Sequence, residues 1–280
     1  MRLSQEEIEL FNRDGVLCLR KALDRQTLDL ALGAFNWSCD NPGPFRTQAR
    51  VKDSGQNVQD RANPAAMAVY KKLVKTPVFG DICRELWGCD DVWYIYEQIF
   101  WRVGGTHART NWHQDTPFMP VKGRHLGVMW FSFDPVSRDH AVEFVRKSHK
   151  GLLYNGWAPN PQGGIQTLYP ETFMPRLPDI EGERDKLPIL AWATEPGDVI
   201  VFHPSVIHGG GDTLPELERR TLSLRFCGED ARVDRRPSYG NFSPDALPKG
   251  LGMPPIMAMF DAEQDAPFRH PDFIPVTSQR

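Results

Sequence analysis

His113, Gln114 and Asp115 place an imidazole and a carboxylate two positions apart. Side chains at i and i+2 share a face of an extended strand, so both can reach one metal ion. A second imidazole, His208, follows much later in Pro204-Ser205-Val206-Ile207-His208-Gly209-Gly210-Gly211. Two imidazoles and one carboxylate make up the facial triad of non-haem Fe(II) sites, which leaves the opposite face of the metal open for chemistry. An HxD pair alone arises easily by chance in a chain with eight histidines. His107, His125, His140, His149, His203 and His270 have simpler readings as loop, turn or strand-end residues.

Three features favour the triad over chance. The turn Glu195-Pro196-Gly197-Asp198 sharply bounds the apolar run Val199–Phe202 ahead of His208. Three glycines follow His208, where the backbone can approach a ligand closely. Arg219 opens another strand-like run, and a strand arginine near the metal can hold a carboxylate by its planar fork. One of Arg219 and Arg220 is instead an exposed strand-edge cation, since neighbours on a strand face opposite ways.

Certain elements must position these residues. Ser4 with Glu7 fits a capping box, Gly15 stops that helix, and Val16–Leu19 reads as a strand. Asp24 caps a second helix running towards Trp37. Residues 40–63 are polar and show no strong period. Helices are expected over 65–73 and 78–86. From Val92 a long aromatic and β-branched run predicts a strand, with others over 126–133, 142–145, 189–192, 198–203 and 221–226. The Pro- and Gly-rich stretch 152–187 reads as an ordered insert of the kind that forms lids or binding loops. Helices first, then many short strands, predict an α+β chain, mainly β, with a β-sandwich or jelly-roll core buttressed by N-terminal helices. One domain over 1–280 is expected, with helical support in 1–90, the core in 91–230, and an extension in 231–280 near the site's mouth.

Composition bounds the function classes. The chain has 280 residues, 40% hydrophobic and 25% charged, as expected of an ordinary globular protein. A net charge of −3 without a basic tract argues against nucleic-acid binding. Five scattered cysteines with no CxxC pair predict reduced thiols and a cytoplasmic setting. No signal-peptide pattern and no membrane-spanning apolar run are seen.

Taken in order, these segments resemble the phytanoyl-CoA dioxygenase family of Fe(II)- and 2-oxoglutarate-dependent oxygenases. Residues 3–23 look like its helix–Gly–strand opening, and Trp112-His113-Gln114-Asp115 like its first metal motif. Leu126-Gly127-Val128-Met129-Trp130 through Val142-Glu143-Phe144-Val145 resembles its central strands. The stretch from Glu195 through His208 to Arg219 resembles its second metal motif and oxoglutarate arginine. The resemblance implies a double-stranded β-helix (cupin-like) core, with Fe(II) on His113, Asp115 and His208. It implies that Arg219 binds 2-oxoglutarate, with Gln98, Arg102 and Trp130 near it. It further implies hydroxylation, or another C–H oxidation, of a small molecule by O2, with 2-oxoglutarate decarboxylated to succinate and CO2. The chain departs from the family pattern at Arg146-Lys147-Ser148-His149, where Pro-Gly-Ser-His is usual, and lacks an Asn often found after the second metal histidine. Relatives that halogenate carry a small residue in place of Asp115, so halogenation is disfavoured.

Substrate identity is nearly silent. His107, Arg109, Phe118, Tyr154 and Trp157 are the candidate substrate residues, with neither nucleic acid nor membrane as partner and a monomer or homodimer expected. A competing reading is a cupin-like metal-dependent hydrolase or isomerase on the same three ligands, which does not explain Arg219. A non-catalytic binding module would be marked by loss of a ligand, and none is lost.

Overall fold

Aromatic and β-branched residues build the longest strand, and the main sheet is assembled around it. The computed structural model describes residues 2–50, 55–104, 109–159, 165–213, 216–237 and 250–276. In chain order the elements begin α1 (Gln5–Asp14), β1 (Val16–Leu19), α2 (Arg25–Asp40), β2 (Thr47–Arg50), β3 (Gln56–Arg61), α3 (Ala66–Val74) and α4 (Pro77–Trp87). The strands then run β4 (Val92–Val103), β5 (Thr110–His113), β6 (Val121–Lys122), β7 (Leu126–Ser132), β8 (Val142–Val145), β9 (Trp157–Pro159), β10 (Ile165–Thr167) and β11 (Ile189–Ala191). Last come β12 (Val199–Phe202), β13 (His208–Gly210), β14 (Glu218–Gly228), β15 (Arg232–Val233), α5 (Pro255–Ala258) and β16 (Ile274–Pro275).

The main sheet has the order β1-β12-β7-β14-β4-β3-β2, with β16 also paired to β4, and the minor sheet the order β11-β8-β13-β5. Pairing is antiparallel throughout both sheets. This is the expected double-stranded β-helix, mainly β, with its two sheets left separate among the described residues rather than closed into one barrel.

Each face of the main sheet is covered by a different layer. On the outer face Phe35, Tyr70, Leu73, Phe79 and Ile82 from α2, α3 and α4 pack on Phe131, Leu222 and Leu224. Between the sheets, Val128 and Trp130 meet Ile200, Phe202 and Phe144. Burying one aliphatic or aromatic side chain contributes about 1.5–3 kcal/mol, so the two layers together fix the sheet firmly between them. The C-terminal residues Ile256, Met257 and Phe268 pack with Met119 and Val121 just beyond the HxD motif.

The polar stretch 40–63 forms β2 and β3, which its sequence did not announce. In register, Arg61 lies opposite Gln98, Gln59 opposite Phe100 and Asn57 opposite Arg102. One side of β3 therefore faces the same way as the site residues of β4, and it is polar where a core strand would be apolar.

The insert carries its own small core of Tyr169 and Met174. The Asn155 amide donates to the carbonyls of Tyr169 (2.7 Å) and Met174 (3.1 Å), and the Tyr169 hydroxyl donates to Pro117 O at 2.6 Å. Among the described residues no helix is long and apolar enough to cross a membrane.

Candidate metal centre

Strands β5 and β13 are neighbours, and His113 stands directly opposite His208. Their ring centroids are 4.2 Å apart. Asp115 follows on the turn after β5, where its N–H donates to Pro204 O at 2.8 Å. The ligand atoms of His113, Asp115 and His208 all lie within 4.8 Å of one another. Asp115 Oδ1 is 3.6 Å from His113 Nε2 and 3.8 Å from His208 Nε2.

Both imidazoles are held in the tautomer a metal needs. His113 Nδ1 lies 2.8 Å from Asn111 O, and His208 Nδ1 lies 2.9 Å from Val206 O. A carbonyl only accepts, so Nδ1 carries the proton and donates while Nε2 keeps a free lone pair. Burial, helped by His113, pushes the His208 pKa down to about 4, leaving a neutral ligand near pH 7. Burial alone would raise the Asp115 carboxyl. Arg225, with smaller help from His113 and His208, outweighs that and holds it far below the usual carboxylate range. Two neutral nitrogens and one carboxylate oxygen converging in a buried corner fit Fe(II).

Arg225 was missed in the sequence. Its Nη2 donates to Asp115 Oδ2 at 2.9 Å and to Gln98 Oε1 at 2.7 Å. The available signal was parity, since Arg219, Thr221, Ser223 and Arg225 alternate onto one face of β14.

A second chamber adjoins the triad. Arg219 and Arg102 stand opposite each other on β14 and β4. Both donate to Gly211 O, and Arg219 Nη1 also donates to His140 O (2.9 Å) and Asp212 O (3.1 Å). Arg220 points to the other side, with Nη2 2.6 Å from Asp134 Oδ1. Neither Arg102 nor Arg219 is ion-paired among the described residues. Burial first, and the Arg102 charge second, push the Arg219 pKa down to about 9, so it is still charged near neutrality. Thr221 Oγ1, Arg102 Nε and Asn57 Oδ1 are buried without hydrogen-bond partners. Cations and donors such as Arg102 Nε and Thr221 Oγ1 left unsatisfied on neighbouring strands are costly unless an anion arrives to accept from them, while Asn57 Oδ1 calls for a donor. A carboxylate end of 2-oxoglutarate has the charge and the acceptor atoms to do so. Thr221 was also missed in the sequence.

The other expected residues are placed unevenly. Trp130 sits between the sheets, opposite Ser223. Gln98 is engaged by Arg225, so its carbonyl oxygen is already used. The Phe118 ring stands edge-on to His113 at 6.3 Å and walls the triad. Trp157 follows Gly156, which is packed so tightly on Phe118 that an added Cβ would lie 2.9 Å from its Cζ. The Trp157 indole N–H is buried and unpartnered.

Two further substrate candidates are engaged with other parts of the protein. Tyr154 packs with Trp112, Ile207 and Val145, on the opposite face of the minor sheet from His113 and His208. Arg109 is ion-paired with Glu143, which also takes Arg184, so its charge is compensated within the protein. His107 lies outside the described residues.

A double-stranded β-helix carrying two histidines and an aspartate in this arrangement defines the class of non-haem iron oxygenases that depend on 2-oxoglutarate. The family model described as phytanoyl-CoA dioxygenase (PhyH) matches residues 11–221, and the chain belongs to that family. A Caenorhabditis elegans protein described as a probable phytanoyl-CoA dioxygenase is 26% identical over 249 residues, covering 81% of this chain and 76% of that protein. Among solved structures, SnoK, a non-heme alpha ketoglutarate dependent carbocyclase from nogalamycin biosynthesis, superposes with a TM-score of 0.67 at 15% identity, covering 99% of this chain and 97% of that one. The epimerase SnoN, in complex with Fe3+, alpha ketoglutarate and nogalamycin RO, gives 0.66 at 15% identity, covering 97% of this chain and 98% of that one. At such identity these two likenesses establish a common fold. Family and triad together make the chain an oxidoreductase, a dioxygenase that uses Fe(II), 2-oxoglutarate and O2.

Proposed function

We propose that this dioxygenase hydroxylates a C–H bond of a small molecule, with His113, Asp115 and His208 as iron ligands and Arg219 as the anchor for 2-oxoglutarate. The observation that carries this reading is the adjacency of two features from the two sheets: a triad on the minor sheet with free Nε2 lone pairs, and a chamber on the main sheet where buried Arg102 and half-buried Arg219 have no ion-pair partner among the described residues. When bound, the iron and 2-oxoglutarate supply the oxidising power for C–H cleavage, as the cosubstrate is split to succinate and CO2. The chain's own residues orient and exclude. Arg219 and Arg102 fix the distal carboxylate by charge-assisted hydrogen bonds, with Thr221 Oγ1 donating a third. Trp130 walls the cosubstrate side. Phe118 and Trp157 wall the substrate side and keep water from the reacting carbon. A hydrolase reading gives the arginine chamber no task.

The structural neighbours named as a carbocyclase and an epimerase support a wider outcome on the same scaffold, in which a substrate radical closes a ring or changes configuration instead of gaining oxygen. We place the enzyme in the cytoplasm, on the support of five free cysteines, acting as a single catalytic domain, monomer or homodimer.

The test is succinate formation from 2-oxoglutarate under O2 with Fe(II), screened against pools of small molecules. Turnover should require both and vanish in Asp115→Ala, and mass spectrometry should find a pool member heavier by one oxygen atom. Undiminished turnover in Asp115→Ala would overturn the assignment.

A further inference from the structure

We infer that Arg225 is a positioning residue for the metal: it occupies the second oxygen of Asp115, so the carboxylate offers the ion one oxygen only. Gln98 and Tyr96 serve this purpose by fixing Arg225. The inference rests on the triad reading above and deepens it.

The two oxygens of Asp115 have separate tasks. Oδ1 faces the Nε2 atoms of both histidines, at 3.6 and 3.8 Å, while Oδ2 accepts from Arg225 Nη2 at 2.9 Å. A carboxylate can bind a metal through one oxygen or two. Two-oxygen binding would take up one of the positions on the open face, where a bidentate cosubstrate and O2 both need room. A charge-assisted hydrogen bond to Oδ2 opposes that rotation, and it is strong because the pair is dry. Arg225 is buried, with 5% exposed, and the Asp115 side chain keeps 13% of its surface exposed.

Arg225 is itself held from several sides. Its Nη2 also donates to Gln98 Oε1 at 2.7 Å. Its guanidinium carbon lies 4.7 Å from the centre of the Tyr96 ring. Nη1 makes a long contact to Ser223 Oγ at 3.4 Å. Tyr96 and Gln98 sit on β4, next to the β14 strand that carries Arg225, so the clamp is built on paired strands rather than on a loop. Gln98 thus acts on the metal through Arg225, which gives this polar strand residue a partner.

The experiment uses the full chain and Co(II) as the probe, which reports coordination through its d–d absorption spectrum without turnover. Arg225→Met should bind Co(II) about 10- to 100-fold more weakly, as loss of such outer partners typically does. Its spectrum should shift to that of a higher coordination number. Arg225→Lys, which restores a cationic donor, should recover much of the affinity and the wild-type spectrum. Gln98→Met should show the same spectral change with a smaller loss, and this variant carries the test if Arg225→Met does not fold. A folded Arg225→Met with wild-type affinity and spectrum overturns the inference and leaves the triad standing. Equal losses in the Lys and Met variants also overturn it, because the guanidinium would then only fill space. Failure of the wild-type chain to bind Co(II) overturns the triad reading, and this inference with it.

Discussion

The Gln114 amide donates to the carbonyl of Ser205 at 2.7 Å, on the side of the chain away from the metal. Its nitrogen also reaches Leu152 O at 3.2 Å, and its oxygen accepts from the Tyr154 N–H at 2.7 Å. The residue between two metal ligands therefore fastens the insert to the metal loop. Gln114→Ala would strip three backbone groups of their partner. We expect a stability loss of about 2–4 kcal/mol by denaturant titration, from groups left unsatisfied in the interior. Protease cleavage within 152–187 should speed up in the same variant.

Half-buried Arg219 faces buried Arg102 across β14 and β4. Burial first, and the Arg102 charge second, disfavour the charge on Arg219 until an anion binds. Arg219→Met should therefore raise, or leave unchanged, the melting temperature of protein without cosubstrate. The same change should weaken 2-oxoglutarate binding on the order of 100-fold, the loss of about 3 kcal/mol of charge-assisted hydrogen bonding. Calorimetry on the two states would show the opposed effects. A parallel fall in both would count against the chamber.

His203 links pH to this region. Its Nε2 is 3.1 Å from Gly123 O, and its Nδ1 accepts from the Ser205 N–H at 3.1 Å. Protonating Nδ1 would set two donors face to face. Burial accordingly pushes the His203 pKa down to about 4. Between about pH 6.5 and 4 the unfolded chain binds a proton that the folded chain refuses. His203 thus stabilises the fold fully above pH 6.5, and that contribution is lost as pH falls towards 4, at up to about 1.4 kcal/mol per pH unit. Stability curves for His203→Asn should be flatter across that window.

Lys147 holds φ at 68°, a left-handed conformation that a side chain disfavours. Lys147 thus stands where the family pattern has glycine, in a conformation that glycine would adopt without strain. The Ser148 hydroxyl donates to Val145 O and accepts from the Ile207 N–H at 2.8 Å, so the turn still braces the residue before His208. Lys147→Gly should stabilise the protein by about 1 kcal/mol with turnover unchanged, readable as a higher denaturation midpoint.

Much of the site was legible because its ligands announce themselves locally. His113 and Asp115 share a motif, and His208 and Arg219 follow a turn-bounded strand. Arg225 was hidden because its meaning depends on a partner from another strand, and only the fold brings Asp115 to it. Gln98 was noticed for its polarity, but its neighbour in space was needed to give it a task. Strands β2 and β3 went unseen because residues on the site side, such as Asn57, Gln59 and Arg61, are polar and break the pattern that marks a core strand. Tyr154 stood out for the opposite reason: an aromatic in a long insert looks like a pocket wall, and here the Gln114 clasp turns it to the outside of the minor sheet.

Strand β5 is the free edge of that minor sheet, paired only with β13 among the described residues. Such an edge offers unpaired backbone groups to any passing chain. An ion gripped by His113 on the edge and His208 on its inner neighbour would pin β5 to β13. Removing the metal should then let that border strand part from its neighbour, readable as faster hydrogen exchange over residues 110–113 than in the metal-loaded protein.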